Sequence, residues 1–258
     1  MVIDQSLFLL VPVFFGISFI YSSVGFGGGS SYIAVLVLVG ISLYTIPTIA
    51  LPLNIIVASI SMYHYVRAKQ FSFRFSLPFT SSIPSSFIAS MIVLSVKSTI
   101  IIFVIALFSS SIALLISGLK KFQGSANFGL RMNNTKLAII GIPIGIILGA
   151  IAGFVGIGGG IWLSPLLILS GLANPKMAAA TASFFIITNS ISGFIAHSIS
   201  KPIDPYFLLP LVVTVIIGGF LGSKLGAFKF NHNKIRIIVG IVVAIAGMDL
   251  LFSRMLNH

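Results

Sequence analysis

Most of the residues that could do chemistry in this chain are backbone, gathered in two glycine clusters. "SSVGFGGGSS" (22–31) sets Gly25, Gly27, Gly28 and Gly29 among Ser22, Ser23, Ser30 and Ser31. "AGFVGIGGGI" (152–161) repeats the arrangement with Gly156, Gly158, Gly159 and Gly160. A glycine inside a helix costs about 1 kcal/mol relative to alanine, so clusters this dense mark places where a helix breaks. A break in a low-dielectric interior exposes backbone N–H groups that need partners. The helix that starts after each break turns its N-terminal dipole inward, which favours an anion. Glycine lets a ligand approach the backbone, and the serine hydroxyls add donors around the first loop. The second loop is more apolar, with Ser164 its nearest hydroxyl.

Polar side chains inside apolar stretches extend the set. Asn54 lies near the middle of 45–66 and Asn189 near the middle of 177–199, with Thr181, Ser183, Thr188, Ser190 and Ser192 around it. An amide in hydrocarbon needs hydrogen-bond partners, and interhelical bonding or substrate contact supplies them equally well. The candidate substrate-binding residues are therefore Gly25, Gly27, Gly28, Gly29, Ser30, Asn54, Gly156, Gly158, Gly159, Gly160, Thr181 and Asn189. His64 and His197 lie near opposite ends of the same two stretches, and interfacial anchoring accounts for them more simply than proton relay. Tyr21 and Tyr32 flank the first loop; Trp162 follows the second, where packing is its simplest role.

Several chemistries find no support. The three acids, Asp4, Asp204 and Asp249, fall in loops or near a segment end, so a mid-depth carboxylate relay is missing. There is no cysteine, no metal-ligand spacing and no cofactor motif, so no metal or cofactor is expected. No "GxxxxGK[ST]" occurs, and no Ser–His–Asp spacing stands out, so neither an ATPase subunit nor a hydrolase is expected.

The elements that must position these residues are membrane segments. The chain is 57% hydrophobic with 7% charged residues and a mean hydropathy of +1.17, against about 25% charged for a soluble domain. Ten apolar stretches follow one another: 7–24, 30–43, 45–66, 75–96, 98–119, 137–156, 160–171, 177–199, 205–227 and 235–253. Most are long enough for a hydrocarbon core of about 30 Å. The second and seventh reach only about 21 and 18 Å as helices, and each follows a glycine cluster. The expected fold is all-α: a polytopic membrane protein whose helices are interrupted, or re-enter, at the glycines.

Charge sets the expected sidedness. Net charge is +12, and twelve of the fifteen Lys and Arg fall in 67–74, 120–136, 172–176 and 224–236, all on one side if segments alternate. By the positive-inside rule that side is cytoplasmic and both termini face out. Basic residues confined to loops give no nucleic-acid footprint; the bilayer and a small anion are the expected partners.

The halves also match. "VGFGGG" (24–29) recurs as "VGIGGG" (155–160), and Gly40 and Gly171 keep the same offset. Five segments per half is an odd number, so the second half must have inverted orientation. The basic loop "RAKQFSFR" in the first half corresponds to the nearly neutral "KPIDP" in the second, as inversion requires. The expected organisation is a first repeat over 1–119, a cytoplasmic linker over 120–136 and an inverted repeat over 137–258. Inverted repeats with broken helices point to a transporter whose substrate sits near the midplane. The alternative from the same residues is an ion channel or cation carrier that presents loop carbonyls.

At "GIGGG" (156–160), Pro165, Gly171, Ala178, Thr181, "NS" (189–190), Gly193 and His197, with "GFGGG" (25–29) and Gly40 in the first half, the chain resembles the TauE/SafE family of sulfite and organosulfonate exporters. The resemblance implies a plasma-membrane transporter, not an enzyme, for small sulfur-containing anions such as sulfite, sulfonates or thiosulfate. The first half departs from the pattern: Ala34 stands where a proline like Pro165 is usual, and "TIPTIALPLN" (45–54) carries extra prolines.

Overall fold

The computed structural model describes residues 2–42, 44–92, 96–119, 128–199 and 205–255, and over them the chain is helical with no strand. The elements are α1 (Val2–Ser22), α2 (Gly29–Leu38), α3 (Ile46–Arg67), α4 (Phe73–Ser76), a 3-10 turn (Leu77–Ser81), α5 (Ser82–Met91), α6 (Val96–Leu119), α7 (Phe128–Arg131), α8 (Asn134–Val155), α9 (Gly160–Leu169), α10 (Pro175–Ser198), α11 (Pro205–Phe228) and α12 (His232–Met255). Five of them, α3, α6, α8, α10 and α11, are long and apolar enough to cross a membrane. Their outer faces are built from exposed isoleucine, leucine and valine, such as Ile105, Ile112 and Ile116 on α6 and Leu209, Val213 and Ile217 on α11. The protein is a polytopic, all-helical membrane protein.

At the centre α3 and α10 cross antiparallel. Leu51 lies by Gly193, Asn54 by Ser190, and Tyr65 by Ala179. Their apolar windows are 61% and 67% buried, against 33–44% for the other three long helices. Around this pair the packing is reciprocal: α1 lies on α11 and α8 on α5, while α6 lies on α12.

Small residues make these contacts close. On α11, Gly218, Gly222 and Gly226 face Phe15 and Phe19 of α1 and then Ser23 just beyond it, so the two helices run parallel. On α8, Gly141, Gly145, Gly149 and Gly153 face Pro78, Ser81, Ser82 and Ser86 in the same way. Spacing of four keeps one stripe on one helix face, and the absent side chains let backbones approach. A methyl at Gly222 would overlap the Phe19 carbonyl, whereas one at Gly16 meets nothing within 4 Å. Gly222→Ala is expected to cost about 1–3 kcal/mol. Gly16→Ala is expected to be neutral or to gain up to about 1 kcal/mol. Thermal unfolding of the two variants in detergent checks the pair.

The chain reverses at each glycine loop. α1 and α3 both run parallel to α11, with Val57 on Gly219 and His64 on Ser223. α1 ends level with Ser61 and Tyr65, which reach the Ser22 and Ser23 carbonyls. The loop then doubles back to Asn54, and α2 leads through 39–45 into the start of α3. In the same way α9 begins against Ala182 and Ile186 of α10 and leads through 170–174 into Pro175. The two short apolar stretches are therefore ten-residue helices that return towards the side from which the chain came, about 15 Å each.

Two expectations change in detail. The stretch 75–96 is not one helix: Pro78 and Pro84, which lack an N–H donor, accompany a division into α4, the 3-10 turn and α5. Arg236, counted above as a loop charge, lies one turn inside α12 and is fully buried. Residues 120–127 of the linker are outside the described residues. Its later part holds α7, whose Gly129 N–H donates to the Leu172 carbonyl at 3.1 Å. Further contacts gather the basic loops at one end: Arg74 Nη2 donates to the Met132 carbonyl at 2.7 Å and Lys176 Nζ to the Ala227 carbonyl at 2.9 Å.

Candidate functional site

Residues 21–34 and 155–161 are buried throughout, so both glycine loops lie inside protein. α1 ends with its last carbonyls facing neighbouring helices, and side chains satisfy them. Tyr65 Oη donates to the Ser23 carbonyl at 2.7 Å, Ser61 Oγ to Ser22 at 3.4 Å, and Ser183 Oγ to Gly25 at 2.8 Å. Gly28 then takes φ +94°, a left-handed conformation that a side chain rarely adopts, and α2 starts at Gly29. Gly159 does the same before α9, with φ +74°.

Neither Gly28 nor Gly159 supplies a side-chain cap. The N–H groups of a first helical turn have no partner within the helix. Two are provided for: Gly29 N–H donates to Asn54 Oδ1 at 3.1 Å, and Trp162 N–H to the Gly159 carbonyl at 3.2 Å. Asn54 Nδ2 donates in turn to the Ile157 carbonyl at 2.9 Å and to Ser190 Oγ at 3.0 Å. A single amide therefore ties α2, the second glycine loop and α10 to α3. Glycine is needed around it, because a methyl on Gly27 or Gly158 would collide with the Asn54 amide.

The remaining candidates fall at varying distance from this junction. Gly29 lies against the Ile157 carbonyl; Gly160 lies against Ile186, and Gly159 against Phe185 and Ala152. Gly25 packs on Ala179, and a methyl on Gly156 would meet Pro47 alone within 4 Å. Ser30 Oγ shares a hydrogen bond with Tyr21 Oη at 3.2 Å, and Ser31 Oγ a shorter one at 2.6 Å. Thr181 is not brought to the junction: its hydroxyl lies 3.4 Å from Ser76 Oγ, towards the basic end. Asn189 does not copy Asn54. Its Nδ2 bonds to the Phe185 carbonyl of its own helix at 2.7 Å, and its Oδ1 is buried with no partner.

Ser183 and Ser190 do more at the loops than Thr181 or Asn189. They lie seven residues apart, two helical turns, on the face that also carries Ala179, Ile186 and Gly193. That periodicity in "ATASFFIITNSISG" was the available signal. His64 is buried and joined to Ser223 Oγ at 2.8 Å, tying α3 to α11 instead of anchoring at an interface. Trp162 Nε1 donates to Ser109 Oγ on α6 at 3.2 Å and belongs to the packing of α9. The Tyr32 hydroxyl, close to Gly28, is buried with no partner.

The arrangement at the junction can bind and release a ligand. The carbonyls of Ser23, Gly25 and Ile157 are engaged, while the first turns of α2 and α9 are uncapped. That balance offers donors to a ligand, and donors select anions.

A family model described as "Sulfite exporter TauE/SafE" matches residues 10–250. Similarity runs over 94% of the chain to a "Probable membrane transporter protein y4hK" of Sinorhizobium fredii, 27% identical and covered over 97% of its length. A "Probable membrane transporter protein YunE" of Bacillus subtilis is 34% identical over 45% of this chain and 42% of its own. A "Sulfite exporter TauE/SafE family protein 1" of Arabidopsis thaliana is 30% identical over 46% of this chain and 26% of its own. No solved structure matches.

Proposed function

The chain belongs to the sulfite exporter TauE/SafE family, and from that membership we propose that it is a secondary transporter moving a small sulfur-containing anion across the plasma membrane. It is a membrane transporter and not an enzyme. The finer reading is that sulfite, a sulfonate or thiosulfate binds between the first turns of α2 and α9, at the Asn54 junction. The observation that carries it is the pair of uncapped, glycine-started half-length helices locked together by one buried amide. Helix N-termini inside a membrane protein are anion sites because water cannot compete for the N–H groups.

The two halves are then inverted repeats about this junction, joined by the 120–136 linker. The antiparallel α3–α10 pair and the reciprocal packing of α1 on α11 and α8 on α5 support that organisation. With the loops buried on all sides, transport requires the halves to part and reclose, as alternating access does. The basic end, carrying Arg67, Lys69, Arg74, Lys176 and Lys229, faces the cytoplasm on this reading and both termini face out.

A cation carrier is the second reading, favoured by the unpartnered Asn189 Oδ1, which would accept from a donor or a metal ion. Reconstitution in liposomes separates the two. Saturable flux of sulfite or a short alkylsulfonate, with sulfate and chloride slower, is the expected result. Sodium flux without sulfur-anion flux would replace it with the cation reading.

A further inference from the structure

Among the described side chains Arg236 is the one buried Lys or Arg, at 0% exposure. It sits on the first turns of α12 and points between α9 and α10. Its Nη2 donates to the Pro175 carbonyl at 3.0 Å and lies 3.4 Å from Ser164 Oγ. Its Nε and Nη1 are buried with no hydrogen-bond partner. A guanidinium carries five N–H donors and does not give up its charge, so the unserved donors are a standing electrostatic cost.

The surroundings add to that cost. The chain has three carboxylates, at positions 4, 204 and 249. Residue 249 is on α12 itself, thirteen residues further on, about 20 Å along the helix. No described carboxylate pairs with Arg236. Pro175 is the first residue of α10, so the guanidinium sits at the positive end of a helix dipole, where a cation is unfavourable. Lys176 follows directly, its ammonium held by the Ala227 carbonyl. Positive contributions meet here in protein interior, and no anion balances them among the described side chains.

We propose that Arg236 is the core of a second anion-binding site, enclosed by α9, α10 and α12, for a small oxyanion that accepts from the donors left free on Nε or Nη1. A guanidinium N–H gives a charge-assisted hydrogen bond to an oxygen of a sulfite, sulfonate or phosphate group. The first turn of α10 and Ser164 Oγ complete the surroundings. Ser164 lies four residues beyond Gly160, about 6 Å along α9 from the glycine junction towards the basic end. The site is thus placed as a staging post for an anion travelling to or from the loops. With Arg236 fully buried, the occupant is a small free ion and not a lipid headgroup.

The test measures binding and needs no transport, so it stands apart from the function proposed above. The purified full chain is unfolded thermally in detergent while sulfite, methanesulfonate or inorganic phosphate replaces chloride at constant ionic strength. A saturable rise in melting temperature is expected for wild type. For Arg236→Met the half-saturating concentration should rise at least tenfold, while its melting temperature in chloride stays at or above that of wild type. Arg236→Lys keeps the charge and loses the guanidinium donors; it covers the case in which the Met variant does not fold, and should bind at least tenfold more weakly. Stabilisation equal in wild type and variants would overturn the proposal, as would none in wild type. The three probes separate sulfur oxyanions from phosphate.

Discussion

Asn54→Ala should abolish flux and lower the stability of the protein by about 2–4 kcal/mol. The substitution removes the acceptor for Gly29 N–H and the donor to the Ile157 carbonyl and Ser190 Oγ. Each buried group left without a partner costs about 1–3 kcal/mol. The Asn54 side chain also fills the space that Gly27 and Gly158 leave, so its loss opens a void between the loops. Stability alone does not prove a binding role, and Asn54→Asp supplies the distinction. Aspartate keeps the acceptor towards Gly29 and the shape, but loses the amide donor and adds a negative charge at the proposed anion position. Flux of a sulfur anion should fall at least tenfold in this variant even where the protein remains folded. Liposome flux and thermal unfolding measured together decide it, and wild-type flux in Asn54→Asp would remove the anion from this junction.

The parts of the fold visible in sequence were those governed by hydropathy and by glycine. Breaks after Ser22 and Val155, and the shortness of the helices that follow, could be read because a glycine cluster inside an apolar run is costly unless the helix ends there. Chain reversal at those breaks could not, because neither loop carries charge and a hairpin leaves the same loop parity as a crossing. Asn54 and Asn189 looked equivalent as amides in hydrocarbon, yet one bridges two loops and the other bonds to its own helix. That difference depends on a rotation of about 100° between neighbouring helix positions, which puts Ser190 and not Asn189 towards Asn54. Arg236 was hidden for another reason. A basic residue beside Lys234 and a polar "NHNK" reads as loop charge, and only the start of α12 at His232 turns it inward.

Glycine stripes show how a bland reading and a functional one coexist in one chain. Gly141, Gly145, Gly149 and Gly153 bring α8 onto the α4–α5 segment and have negative φ, so they serve packing alone. The loop glycines combine close contact with left-handed backbone at Gly28 and Gly159. Two physical demands at one position restrict it to glycine more strongly than either does alone.

Gly158→Ala isolates that double demand at the Asn54 junction and is expected to have a large effect. Gly158 has φ +79°, and a methyl there would press on Ser190 Oγ and Asn54 Nδ2, both parts of the same hydrogen bond. Gly171→Ala is the matched control: its φ is +73°, but a methyl meets nothing within 4 Å. The backbone cost of left-handed alanine, about 1–2 kcal/mol, is common to both. Any further loss in Gly158→Ala therefore comes from spreading the junction. Flux should fall at least tenfold in Gly158→Ala and remain above about half of wild type in Gly171→Ala, at equal amounts of folded protein in the vesicles. Adding Asn54→Ala to Gly158→Ala should then cost less than the two changes separately, since the groups that collide are the ones removed. Equal flux in Gly158→Ala and Gly171→Ala would show that the junction tolerates being opened, and the substrate would have to be sought away from the glycine loops.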